Sequence, residues 1–110
     1  MIFDKEGSTT IVFQEKSSLR EFLHNLKSAY PKLRNDHLII NLFSFDSLTP
    51  EDLLGFLELS DRHRGSGKSF VLVSDKITYD EVPEELNLTP SLQEARDIIE
   101  MEEIERDLDL

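Results

Sequence analysis

Two short apolar runs restrict most strongly what this chain can fold into. Leu38–Phe43 is apolar at every position except Asn41, and Phe70–Val73 is apolar throughout. A strand that is covered on both faces has such a run, whereas a half-exposed strand alternates apolar and polar residues. Segments with the spacing of amphipathic helices lie before, between and after the two runs. The sequence therefore predicts an α/β domain with a largely parallel or mixed central sheet.

The first third of the chain predicts a β-hairpin followed by a helix. Met1–Phe3 and Thr9–Gln14 flank a turn that contains Gly7, and the second segment is rich in β-branched residues. Ser18 and Glu21 have the spacing of a capping box, which begins a helix. Apolar residues then follow at helical spacing, namely Leu19, Phe22, Leu23, Leu26 and Tyr30. Because the residue before a proline disfavours helical backbone, we expect Pro31 to end this helix near Ala29–Tyr30.

Two further helices are predicted from their start signals. Thr49 can cap a helix whose first position is Pro50, and this helix is expected to run to the Gly65–Gly67 turn. Asp75–Leu88 is predicted to be irregular, with Val82, Pro83 and Leu86 holding a short turn. A third helix begins around Pro90–Ser91. The order is β-β-α-β-α-β-α, with about four strands in one domain over residues 1–100, followed by an acidic helical extension or frayed tail over residues 101–110.

The negative charge of the chain is concentrated near its C-terminus. The net charge is -11, but residues 1–79 hold 11 acidic and 10 basic side chains, whereas residues 80–110 hold 12 acidic and two basic ones. Such asymmetry is typical of an acidic interaction surface or of a solvated helix face. On the last helix, Leu92, Ala95, Ile98 and Ile99 form one stripe, and Met101, Ile104 and Leu108 turn onto another face. This second strip predicts either a docking element for a partner or a fraying terminus.

Composition excludes several classes of protein. The acidic balance argues against binding a nucleic-acid backbone by bulk electrostatics. No apolar run approaches the roughly 18–20 residues of a membrane span, and the first residues lack a basic-then-apolar signal pattern. The absence of Cys excludes disulfides, thiolate metal sites and cysteine nucleophiles, and it fits a reducing cytoplasm.

Motifs for catalysis and for cofactor binding are weak. Gly67-Lys68-Ser69 ends like a phosphate-binding P-loop, but it follows a helix and precedes a strand, the reverse of what that loop needs. His24, His37 and His63 lack metal-ligand spacing, so we expect surface or capping histidines. Carboxylates on exposed helix faces lack the burial that a general acid requires. The sequence therefore predicts a protein that is not an enzyme, with no metal or cofactor.

The segment between the first apolar run and the second helix is the candidate binding site. In open α/β sheets, ligands and partners bind beyond the carboxyl ends of the strands, where this segment lies. Its candidate partner contacts are Phe45, Asp46, Ser47, Thr49, Pro50 and Leu53. A phosphate on Ser47 or Thr49 would add about −2 charges at the start of a helix. The alternative is that Thr49 is only a helix cap and that Asp46 and Ser47 are only turn residues.

The chain resembles the STAS domain, the fold of anti-sigma factor antagonists, over nearly its whole length. In that family a buried strand leads to Asp-Ser-Ser/Thr-Gly and a helix, a Gly-Gly turn leads to another strand, and a Thr-Leu-Glu-Glu-Ala-like phrase opens the last helix. The matching segments here are Leu38–Leu42 with Phe45-Asp46-Ser47, Gly65-Ser66-Gly67, Phe70–Val73 and Thr89–Ala95. The match diverges at the phosphorylation motif. In direct register Leu48 occupies the phosphosite, and a shift of one residue places Thr49 there and Pro50 in place of the Gly.

The resemblance implies a cytoplasmic regulatory module that binds a protein through the corner around Asp46–Thr49. The implied partner is an anti-sigma factor or a kinase-like regulator, and a homodimer remains open. Thr49, or else Ser47, would be the phosphorylated residue. Two alternatives are an adaptor subunit that binds a basic partner through its acidic last helix, and a carrier of a small apolar ligand between helix and sheet.

Overall fold

A five-stranded mixed sheet forms the centre of the molecule. The computed structural model describes residues 1–108, and its strands are β1 (Ile2–Glu6), β2 (Thr9–Phe13), β3 (His37–Asn41), β4 (Phe70–Val73) and β5 (Asn87–Thr89). Their spatial order is β1-β2-β3-β4-β5. β1 pairs with β2 in an antiparallel hairpin, and the other neighbours are parallel. The carboxyl ends of β2 to β5 therefore share one edge of the sheet, and the mixed α/β fold predicted from the sequence is confirmed.

Four helices cover the two faces of this sheet. They are α1 (Leu19–Leu33), α2 (Pro50–Leu53), α3 (Leu57–Gly65) and α4 (Leu92–Leu108). Alternate residues of β3 divide between two cores, because side chains along a strand point to opposite faces. Leu38 and Ile40 pack with α1, α2 and α3, whereas Ile39 packs with Ala95 and Ile99 of α4. The predicted stripe of α4 thus faces the sheet.

The strand count is corrected from about four to five. β5 begins in the segment from Asp75 to Leu88 that was predicted to be irregular, ends one residue beyond it at Thr89, and pairs in parallel with β4. It has three residues, of which Leu88 alone is apolar, so its pattern is too short to indicate a strand. The predicted short turn before it is present, since Leu86 N–H donates to the carbonyl of Pro83 at 3.0 Å.

Two helix boundaries also differ from the sequence prediction. α1 continues through Pro31 to Leu33, because buried Tyr30 and Leu33 keep the last turn against the core. That packing offsets the backbone hydrogen bond that Pro31 cannot donate. The second predicted helix is divided by a 3-10 turn at Leu54–Phe56 between α2 and α3. Gly55 lies there, and a Cβ on it would stand 2.9 Å from Cδ2 of Leu23, so the glycine permits close contact with α1.

The last helix runs without interruption through the predicted boundary at residue 100. Glu102, Glu103 and Arg106 contact residues at the amino ends of β3, β4 and β5, so the described part of the extension lies on the sheet. The final two residues of the predicted extension, 109–110, lie outside the described residues. Among residues 1–108, none of the helices combines the length and the apolar character that crossing a membrane would require.

Candidate functional site

The segment that follows β3 forms a compact corner at the carboxyl edge of the sheet. We call residues 43–54 the corner. Leu42 N–H donates to the Val73 carbonyl at 2.9 Å, which extends the pairing of β3 by one residue. The chain then turns, and Phe45 N–H donates to the Leu42 carbonyl at 3.0 Å. Ser44 Oγ donates to the carbonyl of Gln14 at 2.6 Å, so the corner is tied to the loop that follows β2.

Two of the predicted partner contacts anchor the corner from beneath. Leu53 is fully buried in the core that α1, α2 and α3 share. Phe45 is half-buried, and its ring centroid lies 5.7 Å from that of Phe22. Leu53 therefore presents no surface to a partner. It follows the apolar spacing of the helix because it belongs to the core.

The predicted polar residues lie on the surface of the corner. Asp46, Ser47 and Thr49 are exposed and Pro50 is half-buried. Thr49 forms a capping box with Asp52, in which the Asp52 N–H donates to Thr49 Oγ1 at 3.2 Å and the Thr49 N–H donates to Asp52 Oδ2 at 3.0 Å. Ser47 takes no part in the side-chain hydrogen bonds that hold the corner. The two hydroxyls thus differ, because only that of Thr49 is engaged in structure.

Exposed apolar side chains flank these hydroxyls on either side in sequence. Phe43 is 40% exposed and Leu54 is 45% exposed. Neither was predicted as a partner contact from the sequence. No sequence signal indicates the exposure of Phe43, because the apolar run Leu38–Phe43 predicts a strand covered on both faces, whereas Phe43 lies beyond the end of β3. The corner can therefore offer a partner apolar contacts together with hydroxyl and carboxylate groups.

The second predicted surface is the outer side of α4. Met101, Ile104 and Leu108 are between 54% and 79% exposed. The other side of the same helix is held to the sheet by polar contacts, in which Ser69 Oγ donates to Glu102 Oε1 at 2.6 Å and Arg106 Nη2 donates to Ser69 Oγ at 3.2 Å. The apolar strip thus lies on the exposed side of a helix whose other side is hydrogen-bonded to the sheet.

Two histidines that were expected at the surface or at caps are buried, whereas His24 is exposed. His63 lies between the rings of Tyr30 and Phe70. Its Nε2 is 2.8 Å from the Asp36 carbonyl, which can only accept, so Nε2 donates and Nδ1 accepts from the Tyr30 hydroxyl at 2.7 Å. Burial lowers the pKa of His63 and raises that of Tyr30. The sequence around His63 gave no signal for this role.

His37 is the first residue of β3 and lies at the amino edge of the sheet. Its Nδ1 accepts the backbone N–H of Ser69 at 3.0 Å, and its Nε2 lies 3.5 Å from Glu103. Burial lowers the pKa of His37, and the Glu103 carboxylate opposes this effect more weakly. Among residues 1–108, no group of three or more His, Asp or Glu side chains is arranged to hold a metal ion. Both histidines therefore serve packing and hydrogen bonding.

The comparisons with known proteins identify the fold. No protein-family model matches the sequence, and no curated protein matches it. Among solved structures, the chain is similar to RsbS from Moorella thermoacetica with a serine-to-glutamate substitution, at a TM-score of 0.64. The two are 16% identical, and the match covers 90% of this chain and 93% of that one. Because RsbS is a STAS-domain protein, this likeness confirms the STAS-like fold that was predicted from the sequence.

Proposed function

We propose that this chain is a regulatory module that acts by binding another protein through its corner and not by catalysis. The observation that carries this proposal is the exposed corner of residues 43–54 on a fold shared with RsbS, an anti-sigma factor antagonist. Because similar folds host different functions, the proposal rests also on the side chains of this surface.

The make-up of the corner favours a protein partner. Phe43 and Leu54 expose apolar surface, while Asp46, Ser47 and Thr49 place polar groups between them in sequence. Protein interfaces combine exposed apolar side chains with hydrogen-bonding groups in this way. By resemblance, the partner is an anti-sigma factor or a kinase-like regulator in the cytoplasm.

Phosphorylation of the corner would weaken this binding. A phosphate on Thr49 Oγ1 would modify the atom that accepts the Asp52 N–H, and it would place about −2 charges beside the Asp52 carboxylate. Repulsion between these groups would loosen the start of α2. A phosphate on Ser47 would change the charge of the surface and leave the capping box in place. The hydroxyl of Thr49 is the one proposed for a structural switch, and Ser47 is the second candidate.

Capture of the partner with matched variants tests the corner. The full chain is used to purify its partner from the native host, and the captured protein is then titrated against Phe43→Ala, Leu54→Ala and Ile104→Ala. We expect the first two substitutions to weaken binding by about tenfold each, since each removes apolar area from the contact. Ile104→Ala removes a similar side chain from α4 and should change binding by less than about twofold. The reverse pattern would refute the corner model.

The modification is tested separately. Incubation with the captured kinase-like partner, followed by mass spectrometry of the intact and digested protein, should find phosphate on Thr49 or Ser47. If both residues stay unmodified, the switch is refuted while binding through the corner can still hold. Thr49→Glu and Ser47→Glu, titrated against the same partner, show whether added charge at either position weakens the contact.

The adaptor function is the second candidate, and the exposed strip of Met101, Ile104 and Leu108 favours it. A basic partner would contact these side chains and the acidic residues around them. Deleting residues 101–110 would also remove Glu102 and Arg106 from Ser69, so substitution is the cleaner test. Loss of binding with Ile104→Glu, with binding retained by Phe43→Ala, would favour the adaptor.

The carrier function is tested by native mass spectrometry of freshly purified protein. A retained small molecule would favour a ligand between helix and sheet. Its absence would count against the carrier and leave the two binding models unchanged.

A further inference from the structure

A groove of about 610 Å³ lies at the carboxyl end of β5, and none of the corner residues lines it. It is bounded by the chain that follows β4 on one side and by the first turns of α4 on the other. Ile77, Leu88 and Ile98 supply its apolar wall. The volume falls within the range of ligand-binding clefts, and the position at the carboxyl edge of a parallel sheet is one where such clefts occur.

The rim of the groove is acidic. Asp75, Glu94 and Asp97 line it, and no Lys or Arg does so. Asp75 has Lys76 at 4.0 Å, whereas within residues 1–108 neither Glu94 nor Asp97 has a Lys or Arg nitrogen within 4.0 Å. The carboxylates of Glu94 and Asp97 thus line an apolar surface without an ion-pair partner among the described residues, while that of Asp75 is paired with Lys76.

Tyr79 adds an aromatic face at the same place. Its side chain is 76% exposed and lines the groove beside the carboxylates. An aromatic ring attracts a cation that is placed over its face, and Arg or Lys does this in proteins. The combination of a ring, carboxylates and an apolar wall fits a cationic group that is joined to an apolar one.

The edge strand indicates what shape the occupant has. β5 is the last strand of the sheet within the described residues, so no strand covers its outer side there. An extended peptide can add to such an edge, and pockets for alternate side chains then give specificity. Leu88 and Thr89 of this edge strand line the groove, so a segment in the groove lies next to backbone that an added strand could pair with.

We propose that this groove binds an extended basic segment of a partner protein. An Arg or Lys of the segment contacts Glu94, Asp97 and the Tyr79 ring, and an adjacent apolar residue contacts Ile77 and Ile98. The site lies beside β5, whereas the corner follows β3, so this inference goes beyond the proposed function and does not rest on it.

Selection from a random heptapeptide library displayed on phage tests the proposal on the full chain. We expect the enriched peptides to carry Arg or Lys next to an apolar residue. Synthetic copies should bind the double variant Glu94→Gln/Asp97→Asn at least about tenfold more weakly, because two charge-assisted contacts are lost. Tyr79→Ala should weaken binding as well. These side chains are exposed, and thermal unfolding verifies that each variant is folded.

A matched control removes the same number of charges from α4 away from the groove. Glu100→Gln/Glu105→Gln should leave the affinity within about twofold, which excludes a bulk effect of net charge. Amide chemical shifts of Leu88 and Ile98 should move on titration, while those of Phe43 and Met101 stay in place.

Several results would overturn the proposal. One is a selection that enriches no peptides or enriches peptides without basic residues. Another is a loss of affinity in Glu100→Gln/Glu105→Gln that equals the loss in Glu94→Gln/Asp97→Asn. Binding of n-butylguanidinium alone with the affinity of the peptide would also refute a segment as the occupant. None of these outcomes bears on the corner, so the two proposals fail independently.

Discussion

His63 joins three parts of the chain that are distant in sequence. Through Tyr30 it holds the last turn of α1, through the Asp36 carbonyl it holds the approach to β3, and its own backbone belongs to α3. An imidazole suits this place because one ring nitrogen donates while the other accepts. The cation of Arg62 lies 5.4 Å from the centre of the Tyr30 ring and packs over the same contact.

Replacing His63 by Leu should destabilise the protein. The substitution leaves the buried Tyr30 hydroxyl without a partner, which costs about 1–3 kcal/mol in the free energy of unfolding. His24→Leu, at an exposed position on α1, should change this free energy by less than about 0.5 kcal/mol. Urea unfolding of both variants checks the difference. Equal values would show that the buried hydrogen bonds of His63 contribute nothing.

Stability should fall as the pH is lowered below about 6.5. Burial lowers the pKa of His37 and His63 in the folded protein, so the unfolded chain binds protons at a higher pH than the folded one. The contribution of both residues is complete above the unfolded pKa and is lost as the pH falls through the folded values. Urea unfolding at pH 7.5 and pH 5.5 measures this, and the decrease should be smaller in His63→Leu. No decrease between these pH values would contradict the prediction.

At the scale of elements, the two hydroxyls before α2 differ in their contribution to stability. That of Thr49 caps the helix, whereas that of Ser47 takes no part in the hydrogen bonds of the corner. Thr49→Ala removes the cap of the Asp52 N–H and should lower the unfolding free energy by about 1 kcal/mol. Ser47→Ala, two residues earlier, should change it by less than about 0.5 kcal/mol. Chemical denaturation of both variants checks this. A larger loss at Ser47 would show that the corner is held differently.

The elements that the sequence predicted are those whose signals are local. The capping residues Ser18, Thr49 and Ser91 each have the predicted hydrogen bond, because a cap depends on residues three positions apart. β5 was missed because it is defined by pairing with β4 and not by its own composition. α1 exceeded its predicted end because tertiary packing of Leu33 prevailed over the local preference before Pro31. The corner was located from strand and helix order. Helical spacing also predicted a buried side that includes Leu53 and Leu54, but Leu54 is 45% exposed, because the 3-10 turn turns it away from the core.

Basic side chains lie where α1 and α3 end. Lys32 is in the last turn of α1, and Arg62 and Arg64 are in the last turn of α3. Cations at these positions offset the partial negative charge of the free carbonyl groups. This interaction accounts for the basic residues in the last turns of both helices.

For the whole molecule, the separation of charge predicts a response to salt. Residues 80–110 hold 12 acidic and two basic side chains, and their mutual repulsion opposes the folded state. Added sodium chloride screens this repulsion, so the melting temperature should rise between low salt and about 0.15 M, where the screening length is about 8 Å. Differential scanning calorimetry measures the shift.

The variant Glu100→Gln/Glu105→Gln/Asp107→Asn provides the control for this prediction. It removes three carboxylates from α4 that take no part in the contacts with Ser69 and His37. Its melting temperature should be higher at low salt and should respond less to added salt. A salt response as large as that of the unmodified chain would show that the repulsion does not arise in α4.

The fork between Glu6 and Arg96 links the first strand to the last helix across 90 residues of sequence. Arg96 Nε and Nη2 donate to the two carboxylate oxygens of Glu6 at 3.0 and 3.1 Å. α4 buries Ile11, Ile39 and Val71 on one face of the sheet. This face is therefore exposed to solvent until α4 has been synthesised. The nascent chain therefore cannot complete its fold strand by strand as it emerges. Docking of α4 closes a long loop, and until it docks, the uncovered face of the sheet is a surface that chaperones would contact.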